Sequence, residues 1–186
     1  FNLTRMGGNS SILEPNREFI DQYPEGERFD IMEKIETDTD NLDNVLDAET
    51  GVDFLKIDVQ GGSLMVLEGA KGCLEGVLGL EVEAEFVELY RGEPQFGAIH
   101  QFLIERQFEL VDVRANYWLR TEARDVPGCR GQAVTSDSLY MISPRGLANR
   151  MKGLNKSQVL QSLVRLLVCC SVYGLEDWMV SYISAC

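Results

Sequence analysis

Basic residues are scarce in this chain and histidine is almost missing: 17 Lys and Arg stand against 30 Asp and Glu, with one His, giving a net charge of -13 over 186 residues. So acidic a surface repels a phosphate backbone, which excludes nucleic acid as a partner. Long apolar runs are lacking too. None approaches the ~20 residues that cross a bilayer, and no signal peptide opens the sequence. The five cysteines, Cys73, Cys129, Cys169, Cys170 and Cys186, are odd in number and scattered, without the paired spacing of a zinc site or a disulfide framework. No spaced ligand set with His or Cys points to a metal. These absences lead to the expectation of a soluble protein in a reducing, cytoplasmic setting. With 45% hydrophobic residues and no low-complexity run, the chain should fold as a globular unit. It begins at Phe1 rather than Met, as a fragment or processed piece would.

What is present centres on residues 52–70, VDFLKIDVQGGSLMVLEGA. An apolar, β-branched and aromatic run closes on Asp58, turns through Gly61 and Gly62, and resumes with helical spacing at Leu64, Leu67 and Ala70. This reads as strand, turn and helix, with a carboxylate at the strand end, where open α/β sheets bind ligands. In VLGLEVEAEF, Leu78, Leu80, Val82, Ala84 and Phe86 alternate with Glu81, Glu83 and Glu85, a second strand with three carboxylates on one face. The ~20 residues between the two strands suit a helical crossover, so residues 53–59 and 78–86 are predicted to be adjacent and parallel. If this second strand is covered on both sides, at least one of its glutamates needs a partner or a raised pKa.

The first stretch resembles the core motif of the FkbM family of S-adenosylmethionine-dependent methyltransferases, in Lys56, Ile57, Asp58, Gln60, Gly61, Val66, Leu67, Gly69 and Ala70. Ser63 departs from it, standing where many members have Glu. Further likenesses are GGNSSILEPN near the start, a Thr-x-x-Leu-Asp run ending at Asp43, Tyr90 followed by Gly92, and Asp137, Ser138, Leu139 and Tyr140 in a closing strand. The resemblance spans roughly residues 7–143. It implies an α/β fold: the C-terminal half of a Rossmann-like methyltransferase sheet, mixed, with an antiparallel end. Residues 108–120 and 132–143 supply that end. A helical pair follows, from Lys156 to a cap at Gly174 and again from Leu175, so the domains divide as 1–150 and 151–186.

The implied activity is methyl transfer from S-adenosylmethionine to a hydroxyl of a sugar or secondary metabolite, with Asp58 as first candidate for general base and Glu83 as second. Gln60 and Gly61 would meet the cofactor, and Ser10, Ser11, Glu85 and Tyr90 the acceptor. On their residues alone, the two serines read first as a turn with locally satisfied hydroxyls. Lys56 either lowers the pKa of Asp58 by pairing with it or makes a structural ion pair. His100, beside the apolar face of a helix opened by Pro94, reads as packing or surface. The Gly-rich turn that would hold the donor is not found, since Gly7 and Gly8 follow no apolar strand and open no helix. The chain alone is therefore expected to be inactive. Two function classes stay open: an enzyme of the FkbM type, and a non-catalytic remnant or interaction domain. The apolar stripe of the C-terminal helices packs on its own domain or on a sister subunit.

Overall fold

The computed structural model describes residues 1–46 and 51–185, with Cys186 outside them. The N-terminal part is a series of short elements: β1 (Asn2–Thr4), a single 3-10 turn at Gly7–Asn9, α1 (Arg17–Ile20), a second 3-10 turn at Gly26–Phe29, β2 (Ile31–Lys34) and α2 (Leu42–Val45). β1 and β2 pair antiparallel as a separate two-stranded ribbon. The alternation after Arg28 predicts a half-exposed strand, but all four residues of β2 are exposed, and burial in the ribbon falls on β1, at Asn2 and Thr4. Phe29, the first apolar residue of that alternation, belongs instead to the 3-10 turn and is buried with Ile20, Leu89 and Tyr90.

The main sheet is built from β3 (Phe54–Ile57), β4 (Gly79–Glu85), β5 (Phe108–Trp118) and β6 (Gln132–Ile142), in the spatial order β3-β4-β6-β5. β3 and β4 run parallel, with Phe54 opposite Gly79 and Ile57 opposite Val82. The intervening α3 (Ser63–Glu68) and a 3-10 turn at Cys73–Glu75 make the crossover that parallel neighbours require. β6 lies antiparallel to both β4 and β5, so the sheet is mixed, with the antiparallel end expected from residues 108–143. On β4, Leu80, Val82 and Ala84 are fully buried and join Leu67, Ala70 and Leu74 from the crossover in the principal core. Ile99 and Leu103 of α4 (Phe96–Ile104) pack into the same core. α4 begins two residues after Pro94, with Gln95 at its N-cap.

Three helices close the chain: α5 (Pro144–Arg150), α6 (Lys156–Tyr173) and α7 (Glu176–Ala185). α5 is not among the sequence expectations, although its signals are conventional, with Pro144 in the first turn and the Ser143 hydroxyl accepting from Gly146 N. α6 starts in a reciprocal capping box between Asn155 and Gln158 and ends at Gly174 in the left-handed conformation, φ 67°. Leu166, Cys170 and Tyr182 from α6 and α7 join the principal core. No helix among the described residues is long and apolar enough to cross a membrane.

Candidate functional site

β3 ends at Ile57, and the next five residues reverse the chain into α3. Gln60 and Gly61 both take the left-handed backbone conformation, at φ 48° and 79°. Glycine adopts it freely, whereas for glutamine it costs on the order of 1 kcal/mol, so the surroundings must hold Gln60 in place. Four contacts do so. Its side-chain Nε2 donates to Asp58 Oδ1 at 3.0 Å and to Glu83 Oε2 at 2.6 Å, its Oε1 accepts from the Tyr90 hydroxyl at 3.0 Å, and its backbone oxygen accepts from Ser11 Oγ at 2.6 Å. Gln60 thereby joins the strand-end carboxylate Asp58, which is exposed, to the carboxyl group of Glu83 on the neighbouring strand.

The glutamate face of β4 divides into three environments. Glu81 accepts from Lys56 Nζ at 2.6 Å and is met by Arg114 and the Tyr173 hydroxyl, and the Lys56 ammonium holds its pKa below the ordinary value. Lys56 therefore pairs with Glu81, and at 3.4 Å with Asp137, and not with Asp58 as one sequence reading had it. Glu83 has no cation. Burial, and then the Asp58 carboxylate beside it, push its pKa up to about 9, so it carries a proton at neutral pH. Glu85 is raised as well, chiefly by burial, while its Oε1 accepts from Gly61 N at 3.1 Å.

A cleft of about 870 Å³ opens beside this turn. Asp58, Gln60 and Ser10 line it together with Asp40, Ile12 and Met65, and no Lys, Arg or His contributes to its wall. Hydrogen bonds from Asn44 and from the backbone of Asn41 hold the Asp40 pKa low. Ser10 is tied locally, its Oγ accepting from Thr4 N at 3.0 Å. Ser11 stands behind the turn, fully buried, and its hydroxyl is committed to Gln60. Glu85 and Tyr90 are likewise buried beneath the turn rather than along the cleft wall. Of the residues singled out in the sequence, the structure thus brings Asp58, Gln60 and Ser10 to the cleft, with Glu83 bound to Gln60 and Ser11, Gly61, Glu85 and Tyr90 forming the support. His100 stacks on Phe96, its Nδ1 3.3 Å from the Tyr140 hydroxyl. Among the described residues, no group of three or more His, Cys, Asp or Glu could hold a metal ion.

Sequence reasoning missed Asp40 and Glu93. Asp40 arrives through the loop before α2. Glu93 returns after a reversal at Gly92, φ 75°, and its Oε1 accepts from Tyr90 N at 3.0 Å and from Leu89 N. Asp40 lies inside the Thr-x-x-Leu-Asp run, which marks its neighbourhood but not its place on the cleft wall, and no motif marks Glu93.

Gly61 offers a direct test of how tightly the turn is held. A Cβ there would stand 2.6 Å from Glu93 Oε2 and 3.1 Å from the Tyr90 ring, on a backbone already at positive φ. Gly61→Ala is expected to destabilise the protein by about 1–3 kcal/mol, the sum of left-handed strain and displaced neighbours. Urea unfolding checks it: an unchanged midpoint would mean that the turn is loose.

A family model described as the Methyltransferase FkbM domain matches residues 5–110, a span that takes in the turn, both parallel strands, Glu93 and all of the cleft wall except Phe1. No curated protein and no solved structure gives a significant match. The matched span exceeds half of the chain, and the chain belongs to the FkbM methyltransferase family.

Proposed function

We propose that residues 1–150 form the acceptor side of an S-adenosylmethionine-dependent O-methyltransferase acting on a small hydroxyl-bearing molecule, a sugar or a secondary metabolite. The observation that carries this reading is the Asp58–Gln60–Glu83 constellation at the mouth of the cleft. Asp58 lines the cleft while its Oδ1 accepts from Gln60, which places its carboxyl group where an acceptor's hydroxyl proton would be taken. Glu83, already protonated, adds no second negative charge beside it. Gln60, fixed at both ends, keeps Asp58 from swinging away, which is the positioning that in-line displacement at a methyl carbon requires.

The residues at hand fit the acceptor better than the donor. Asp58 and Asp40 suit the sulfonium charge and sugar hydroxyls of S-adenosylmethionine, but among the described residues no Lys, Arg or His side chain lines the cleft to meet its carboxylate. Residues 1–186 are therefore expected to bind S-adenosylmethionine weakly, with a dissociation constant above roughly 100 μM. Micromolar affinity in a calorimetric titration would overturn that. The reaction itself is tested with the full gene product, methyl-deuterated donor and a panel of neutral hydroxyl compounds. Mass spectrometry should find the label on oxygen; label on nitrogen or carbon contradicts the reading.

Cys73, Cys129, Cys169 and Cys170 are free thiols, which supports a reducing, cytoplasmic setting. Residues 151–186 form the helical extension, and the exposed Leu160, Val164 and Val168 on α6 support pairing with a second copy.

A further inference from the structure

Glu85 and Glu93 lie directly under the Gln60–Gly61 turn, 1% and 7% exposed, and each keeps one oxygen buried without a hydrogen-bond partner: Glu85 Oε2 and Glu93 Oε2. Their other oxygens are occupied, Glu85 Oε1 by Gly61 N and Glu93 Oε1 by Leu89 N and Tyr90 N. Glu93 Oε2 fills the space beside Gly61 that a side chain would need, 2.6 Å from where a Cβ would stand. A buried carboxylate oxygen with neither cation nor donor is strongly disfavoured, whereas the protonated form carries no charge to desolvate. The charged and titratable groups around Glu93 do not relieve it. Glu85 faces it from β4, Glu88 and Tyr90 share its loop, Glu83 and Asp58 lie beyond Gln60, and Arg28 bears on Tyr90.

We propose that Glu93 is a positioning residue of the site: its uncharged carboxyl group packs beneath Gly61 and lets the Gln60–Gly61 turn stay closed over it, so that losing the proton there lifts the turn and releases the amide joining Asp58 to Glu83. The inference rests on the reading of Asp58 and Glu83 given above, but the clamp is observable without donor or acceptor. When the turn lifts, Glu93 reaches water and an ordinary carboxyl pKa near 4.5, against about 8 in the closed form, where burial and then the Glu85 charge raise it. The closed form holds a proton that the open form has lost, so opening becomes easier as pH rises between those values and levels off above the higher one.

Amide hydrogen exchange at Gly61, corrected for intrinsic rate, measures this opening. Between pH 5.5 and 7.5 its protection should fall by about one further factor of ten per pH unit in the parent than in Glu93→Gln, because the variant lacks this one proton. Equal slopes in the two proteins would overturn the proposal. If Glu93→Gln fails to fold, a ¹³C carboxyl titration of the parent decides: a Glu93 midpoint near 8 supports the clamp, and one near 4.5 removes it. Either result leaves the methyl-transfer reading to its own assay.

Discussion

Asp58→Asn in the full gene product should lower the methyl-transfer rate by about 10²-fold or more and leave the melting temperature nearly unchanged. The side chain is exposed at a strand end, so its charge carries little of the folding energy. Asn keeps an oxygen that can accept from Gln60 Nε2 as Asp58 Oδ1 does at 3.0 Å, and the backbone pairing of β3 with β4 does not involve the side chain. What the amide cannot do is take a proton. A variant that melts like the parent and turns over at the parent rate would remove Asp58 from the chemistry, and a smaller loss would make it a positioning group. Ser63→Glu is the companion variant. Ser63 is buried and donates to the backbone oxygen of Glu83 at 2.8 Å, so a glutamate there places one more carboxyl group against a set already short of cations.

Glu83→Gln should change the pH dependence of stability more than any other single substitution in the sheet. The Glu83 pKa in the folded protein, about 9, lies far above its unfolded value of 4.5. A raised carboxyl pKa means that the folded state keeps a proton the unfolded state has lost. Its contribution is fully present below about 4.5 and is lost as pH rises through about 9. The parent's melting temperature should therefore decline steadily from pH 5 to pH 9. Glu83→Gln, neutral throughout, should decline less and melt higher than the parent at pH 9. A residual slope should remain, since Glu85 and Glu93 are raised by burial as well. Parallel curves for the two proteins would place Glu83 among the ionised groups.

The parallel pair β3 and β4 was legible because two apolar runs flank a stretch with helical spacing, and a crossover of that length admits few other arrangements. The C-terminal helix was legible from its period and from Gly174. The partner of Lys56 was not. Residues two apart on a strand lie ~7 Å from each other, whereas directly opposite residues on paired strands bring their Cβ atoms within about 5 Å, so register and not sequence spacing decides the ion pair. Lys56 stands opposite Glu81, a relation visible only once the strands are assembled. The same limit applied to Ser11. Its motif marked it as important, but whether it faced the ligand or the turn depended on contacts with Gln60, 49 positions away. The β1–β2 ribbon misled for another reason: alternation reports burial only when a strand packs on something.

The central claim is that the ends of β3 and β4 hold two carboxyl groups, Asp58 and Glu83, joined by the Gln60 amide, and that Glu83 bears a proton. Selective ¹³C labelling of glutamate carboxyl groups, followed by NMR from pH 4 to pH 10, tests it most directly. The Glu83 resonance should titrate with a midpoint near 9, well clear of the surface glutamates, and the Gln60 side-chain amide should shift with it. A Glu83 midpoint near 4.5 would contradict the account, since Glu83 would then be charged beside Gln60 at neutral pH.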